Sequence, residues 1–124
     1  MAFDGYKPST MREQPVVSAA RTATTGTTGA LAGYGNARSI RAQLNCTAAA
    51  GTSPTLNVII EDSVDGGTNW NTVGTFTQLV AAGRQVINVP APFGDQVRIS
   101  WTIGGVTPSF TFAVDWALQA AAGA

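Results

Sequence analysis

The stretch from Thr55 to Phe76, TLNVIIEDSVDGGTNWNTVGTF, decides the fold of this chain. Apolar and polar residues alternate along its first part, as they do in a strand with one buried face. The core-facing positions expected there are Leu56, Val58 and Ile60. Asp65-Gly66-Gly67 is expected to supply the positive-φ positions of a hairpin loop. A second strand, packed back over the sheet by Trp70, completes the predicted hairpin.

The same alternation recurs in other parts of the chain, where turn residues separate the runs. Arg38 to Thr47, the run RQVINV, Val97 to Ile103 and Phe110 to Trp116 each predict a strand, and Val16 to Thr25 is a candidate first strand. The segments expected to be turns between strands are Ala48 to Pro54 and Gly104-Gly105. About seven strands at roughly ten-residue spacing, with no amphipathic helix, indicate an all-β antiparallel β-sandwich. Immunoglobulin-like and jelly-roll topologies both remain open, because periodicity does not give connectivity.

The composition describes one domain with an unusually uncharged surface. The chain has 124 residues, with seven basic and seven acidic side chains, and charged residues make up 11 % of it. Soluble domains carry about 25 %. Zero net charge argues against a nucleic-acid partner, which needs clustered Lys and Arg. A weakly charged surface favours a protein that spends its life attached to a larger assembly, although a slightly sticky secreted monomer is the alternative.

The residue types needed for common catalytic and metal sites are missing. The chain has no histidine, and its single cysteine, Cys46, lies in an alternating apolar run typical of a buried thiol. Glu61, Asp62 and Asp65 could suggest a calcium site, but they lack the ligand offsets of an EF-hand, so a solvated turn is favoured. We therefore expect no enzyme activity, no metal and no cofactor.

The three tryptophans and the first residues allow two further expectations. Trp70, Trp101 and Trp116 could form a sugar platform, but each is in phase with inward-facing residues, so core positions are favoured. The opening MAFDGYKPSTMREQP lacks the apolar region of a signal peptide. No apolar run approaches the ~20 residues of a membrane span. We expect synthesis in a cytoplasm and no membrane partner.

The chain divides into an extended N-terminal arm, residues 1–14, and a β-sandwich domain, residues 15–124. The arm is polar and aperiodic, so a disordered terminus is one interpretation. The other is an arm that binds a neighbouring subunit, since apolar side chains are unusual in a solvated tail. A Gly-rich loop after the first strand is the second candidate contact element. The candidate interface residues are Phe3, Tyr6 and Met11 in the arm, and Leu31 and Tyr34 in the loop.

Residues Arg21 to Trp116 resemble a group of small virion proteins of tailed phages. The phrases that carry the resemblance are TAAAGTSPTLNVIIEDSVDGGTNWNTVGTFTQ and FGDQVRISWTIGGVTPSFTFAVDW. The resemblance contains no catalytic motif, and it implies a capsid decoration (cement) protein on the capsid surface of the virion. The implied partners are the major capsid protein and further copies of this chain, with a trimer favoured. The alternative is a carbohydrate-binding or structural β-sandwich of a phage tail, neck or fibre.

Overall fold

The fold is all-β in a computed structural model that describes residues 10–32, 37–90, 92–94 and 96–120. Seven strands and no helix occur in these ranges. The strands are β1 (Thr10–Arg21), β2 (Thr25–Thr27), β3 (Leu31–Ala32), β4 (Ala37–Ser63), β5 (Asn71–Thr75), β6 (Gly83–Pro90) and β7 (Gln96–Ala120). The expected all-β class is confirmed.

Two very long strands form the framework of the molecule. β4 has 27 residues and β7 has 25, and they pair antiparallel from Ala37 opposite Ala120 to Ser63 opposite Gln96. The ribbon that they form bends near its middle, so each strand contributes to two sheets. Sheet I contains β1, residues 109–120, residues 37–50 and β6, in that order. Sheet II contains β2 with β3, residues 96–104, residues 55–63 and β5.

This strand order is that of a jelly roll, in which the chain passes back and forth between two antiparallel four-stranded sheets. Each sheet has the β4–β7 ribbon at its centre and shorter strands at its edges. Of the two topologies left open by the sequence, the jelly roll is the one observed. All pairings are antiparallel, as expected for a sheet whose strands alternate between buried and exposed residues.

The inner faces of the two sheets enclose one hydrophobic core. Rings from the two halves of β7 meet there, with Trp101 edge-on to Phe112 at a centroid distance of 5.5 Å. Gly74 of β5 lies close to the side chains of Val89 and Ile87 in β6, which joins the sheets at another edge. The alternating positions expected to face the core are buried: Ile40, Ala42, Leu44, Cys46, Leu56, Val58, Ile60, Val97, Ile99, Ile103, Phe110, Phe112, Val114 and Trp116.

The bend between the sheets is built from two copies of one short motif. The sequence GTSP occupies residues 51–54 of β4, and GVTP occupies residues 105–108 of β7. Both motifs begin with a glycine at φ 110° or 116° and place a hydroxyl residue at positive φ, Ser53 at 48° and Thr107 at 50°. Thr52 pairs with Val106, so the two motifs face each other across the ribbon.

The bend corrects two predictions from the sequence. Turns were expected at Ala48 to Pro54 and at Gly104-Gly105, each ending a strand. Both predictions are wrong, because the two strands bend together and pairing resumes on the far side, where Thr55 lies opposite Gly104. At the bend the backbones of the two motifs lie too close together for a side chain at the glycine positions. A Cβ on Gly51 would lie 2.8 Å from the Thr107 carbonyl oxygen.

The predicted hairpin is present as the end of β4, a loop over residues 64–70, and β5. Ile59 lies opposite Thr75, and a register shift follows Ile60. The loop glycines take the expected positive φ, 79° at Gly66 and 96° at Gly67, whereas Asp65 does not. Asp65 stabilises the loop through its side chain instead.

Candidate functional site

The carboxylate of Asp65 holds the hairpin loop together. Its Oδ1 accepts hydrogen bonds from the backbone N–H groups of Thr68, at 3.1 Å, and Asn69, at 2.9 Å, and from the Ser63 hydroxyl at 2.8 Å. Its Oδ2 accepts one from the Asn69 amide at 2.7 Å. These bonds, those from Asn69 first, lower the pKa of Asp65 to about 2. The carboxylate is therefore charged at neutral pH and already occupied by the loop.

The other two acidic residues of this region lie on opposite faces of sheet II. Glu61 faces outward and accepts 2.8 Å hydrogen bonds from Arg98 Nε and the Ser100 hydroxyl. Asp62 is buried at the end of the core, where its Oδ2 accepts a 2.6 Å bond from Gly94 N–H. The three carboxylates do not converge, and among the described residues no group of three or more His, Cys, Asp or Glu side chains could hold a metal ion.

The three tryptophans have different environments. Trp116 is buried, as predicted, and Trp101 is half-buried against the core. The core prediction is wrong for Trp70. Its half-buried indole covers the outer face of sheet II, with the Arg98 guanidinium 4.3 Å from the ring centroid and its Nε1 donating to the Gly67 carbonyl oxygen. Alternation did not locate Trp70, because this residue lies in the loop before β5 and not in a strand.

Cys46 is buried in sheet I, as expected from its place in an apolar run. Its thiol donates a 3.3 Å hydrogen bond to the Ala48 carbonyl oxygen, and burial raises its pKa. Burial thus disfavours the thiolate, so the residue fits a core position and not a nucleophile.

The candidate interface residues fall only partly within the described chain. Phe3, Tyr6 and Tyr34 lie outside it, and the backbone of Met11 belongs to β1, opposite Leu118. Leu31 is half-buried, packs against the core and pairs with Val97. Residues 10–14 of the expected arm are thus the first residues of β1.

An open groove lies on the outer face of sheet I. Its volume is ≈ 590 Å³. The polar lining comes from three neighbouring strands: Arg12 and Gln14 of β1, Asp115 of β7, and Arg41 and Gln43 of β4. Its floor includes Ala117, which pairs with Arg12 on one side and Arg41 on the other.

Several hydrogen bonds fix the walls of this groove. Asn88 of β6 accepts a 2.9 Å bond from Arg41, and Asp115 accepts a 2.8 Å bond from the Gln14 amide. Glu13 Oε1 accepts a 3.0 Å bond from the indole N–H of Trp116. The groove contains two arginines and two carboxylates, so its formal charge is zero. Sequence reasoning missed it, although Arg41 and Gln43 are recognisable as outward-facing residues of one strand.

Comparisons with known proteins identify the fold. No protein-family model matches the sequence, and no curated protein does. The exported protein XepA of PBSX superposes over 90 % of this chain with a TM-score of 0.66 at 16 % identity. The VP2 subviral particle of infectious bursal disease virus superposes over 94 % with a TM-score of 0.65 at 13 % identity. The chain spans 37 % and 33 % of those two chains.

A third similar structure matches the chain over nearly the whole length of both proteins. The subunit of Bacillus endospore appendages, described as disulfide-linked pili, has a TM-score of 0.53 at 11 % identity, with 98 % of this chain and 97 % of that one covered. At these identities the likeness shows a shared fold alone. In the described residues there is also no helix long and apolar enough to cross a membrane.

Proposed function

We propose that this protein is a non-enzymatic structural component of a virion, a capsid decoration protein that binds the phage head and bridges major capsid subunits. The observation that carries the proposal is the jelly-roll order of the two sheets, which covers 94 % of this chain in its superposition on a viral particle protein. Fold alone does not determine function, so the chemistry of the surface provides the second support.

The three acidic residues of the hairpin region support a structural role. In an enzyme that uses paired carboxylates, both must face a shared cleft. Here Glu61 bonds Arg98 outside sheet II, Asp62 bonds a backbone N–H inside the core, and Asp65 is used by the hairpin loop. Each of these three carboxylates thus has a structural partner at a separate place in the fold.

The contact elements proposed for assembly are the arm and the Gly-rich loop. In this proposal Phe3, Tyr6 and Met11 contact a neighbouring subunit, as do Leu31 and Tyr34 in the loop. Copies associate as a small oligomer, with a trimer favoured, and the arm or a sheet edge adds backbone hydrogen bonds. The low charge of the chain, 11 % of residues, lowers the desolvation cost of such contacts.

Co-sedimentation with empty heads of the encoding phage tests the proposal. Purified protein should sediment with the heads, saturate at a fixed ratio to the major capsid protein, and raise the temperature at which the heads rupture. Heads that already carry their full complement of the protein provide the control, because they should take up none. Failure to bind bare heads would refute a decoration role.

Carbohydrate binding on a tail or fibre is the second candidate, and the position of Trp70 favours it. The indole lies on the surface beside the exposed Asn71, and Arg98 covers one of its faces. Ligand sites commonly combine aromatic side chains with a few polar groups, such as amides, that fix the orientation of the ligand. Retention of the protein on a host polysaccharide, lost in Trp70→Ala and kept in Trp101→Phe, would replace the decoration role by this one.

A further inference from the structure

The groove on the outer face of sheet I is not among the contact elements proposed above. We propose that it binds the N-terminal segment, residues 1–9, of a second copy of this chain. The inference deepens the homo-oligomer part of the proposed function, because it names the surface on which the arm of one copy docks. It requires no capsid, so it is tested on the isolated protein.

The groove offers hydrogen-bond donors from neighbouring strands to an extended peptide. It runs across β1, β7 and β4, and the small Ala117 leaves room on its floor between Arg12 and Arg41. A guanidinium has five N–H donors, so the bond from Arg41 to Asn88 leaves donors for a ligand. The exposed side chain of Val86 adds an apolar contact at the β6 end.

The charges of the segment complement those of the groove. Residues 1–9 read MAFDGYKPS, with one acid, Asp4, and one base, Lys7. Arg12 and Arg41 form one row of the groove, and Asp115 lies one row away on the same face. A segment carrying both signs can bond both rows, Asp4 to the arginines and Lys7 to Asp115. A purely acidic or purely basic ligand would leave one row without a partner.

The direction of the chain favours the groove of a second copy over that of the same copy. β1 starts at Thr10, and Arg12, in the wall of the groove, follows two residues later. To enter its own groove, the segment would have to reverse direction immediately before β1. Pro8 opposes that reversal, since the residue before a proline favours extended backbone. Nine extended residues span about 30 Å, enough to reach a neighbouring molecule.

Zero-length carbodiimide cross-linking tests this assignment, because Lys7 is the only lysine of the chain. The reagent joins an amine to a carboxylate that lies in direct contact with it. Full-length protein is prepared with and without isotope labels, mixed, cross-linked at low ionic strength and digested for mass spectrometry. The expected product links Lys7 to Asp115 or Glu13, with one labelled and one unlabelled peptide in the same product.

Two charge reversals on the same face provide the variant and its matched control. Arg41→Glu should reduce the yield of the cross-link about tenfold, the effect of losing one charge-assisted contact. Arg84→Glu changes an exposed arginine of β6 that lies outside the groove, and it should leave the yield unchanged. Circular dichroism confirms that both variants are folded.

Three results would overturn the inference. Cross-links found only within single copies would place the segment on its own chain. Links from Lys7 only to Glu61 or Asp65 would place it on sheet II or its loop. Equal losses in Arg41→Glu and Arg84→Glu would show a general charge effect. Binding to phage heads is measured separately, so the decoration role can survive any of these outcomes.

Discussion

At the scale of single residues, most acidic side chains near the hairpin stabilise local structure. Asp65 shows this most clearly, since its two carboxylate oxygens accept four hydrogen bonds from residues 63–69. A turn can be closed by such a side chain as effectively as by backbone bonds. The sequence shows an acid next to two glycines, a pattern that fits a metal site as well as a turn. The structure distinguishes these two interpretations, because the carboxylate oxygens of Asp65 accept hydrogen bonds from the loop itself.

Asp65→Asn should weaken the fold in a pH-dependent way. The pKa of Asp65 is lowered to about 2 in the folded protein, from 3.8. Its stabilising contribution is therefore complete above pH 3.8 and is lost as the pH falls toward 2. Urea unfolding should show wild type more stable than the variant at neutral pH, with a difference that shrinks across that range.

A matched control for this prediction is Thr68→Ala in the same loop. Only the backbone N–H of Thr68 bonds Asp65, so the side chain can be removed without loss of the contact. Its stability should follow that of wild type at every pH. A difference between wild type and Asp65→Asn that is as large at pH 2 as at pH 7 would contradict the role given to the charge.

At the scale of elements, the bend in the β4–β7 ribbon is what turns one long ribbon into two packed sheets. The two G-x-(S/T)-P motifs place glycines where a side chain has no room, since a Cβ on Gly105 would lie 2.9 Å from the Pro54 Cα. Ser53 and Thr107 take positive φ, which costs free energy for residues with a Cβ. Pairing of the two motifs across the ribbon, through Thr52 and Val106, maintains this backbone conformation.

Gly105→Ala should destabilise the protein by about 2–4 kcal/mol, because it adds both backbone strain and a backbone contact at the bend. Gly66→Ala provides the comparison. Gly66 also has positive φ, 79°, but nothing lies within 4 Å of its missing Cβ. Its cost should be about 1 kcal/mol, that of the conformation alone. Urea unfolding at pH 7 measures both, and equal losses would show that close packing at the bend is unimportant.

At the scale of the whole molecule, alternation predicted the class of fold and nearly all of the core. Positions such as Ile40, Leu56 and Phe112 were identifiable because one face of each strand is buried and the other is not. Jelly-roll order was not predictable, since it depends on which distant strands pair. The bend was predicted as two turns, because a Gly and a Pro usually end a strand. Its repeated motif is nevertheless visible in the sequence.

The candidate site was less predictable than the fold. Arg12 was assigned to an arm outside the sandwich, yet it is part of β1 and lines the groove with Arg41 of β4. Their proximity depends on the register of three strands, which a single sequence does not give. The prediction for Trp70 was wrong for a related reason. The residue lies in a loop, where the alternation of buried and exposed positions does not apply.

Two deletions of different length separate the arm from the sandwich. Removing residues 2–9 keeps the whole of β1, which starts at Thr10, so the sandwich should still fold. Removing residues 2–14 deletes the pairing of residues 10–13 with β7 and the Glu13 acceptor of the Trp116 indole, so it should cost about 2 kcal/mol or more. Differential scanning calorimetry measures both.

Binding to empty heads then tests the arm itself with a folded protein. If residues 1–9 make the contact between subunits, the shorter deletion should weaken binding while the sandwich stays folded. The longer deletion cannot test this alone, because loss of β1 pairing weakens the fold as well. Undiminished binding by the shorter deletion would refute the proposal that the arm makes this contact. Equal stability of the two deletions would mean that the first residues of β1 contribute nothing to the stability of the sandwich.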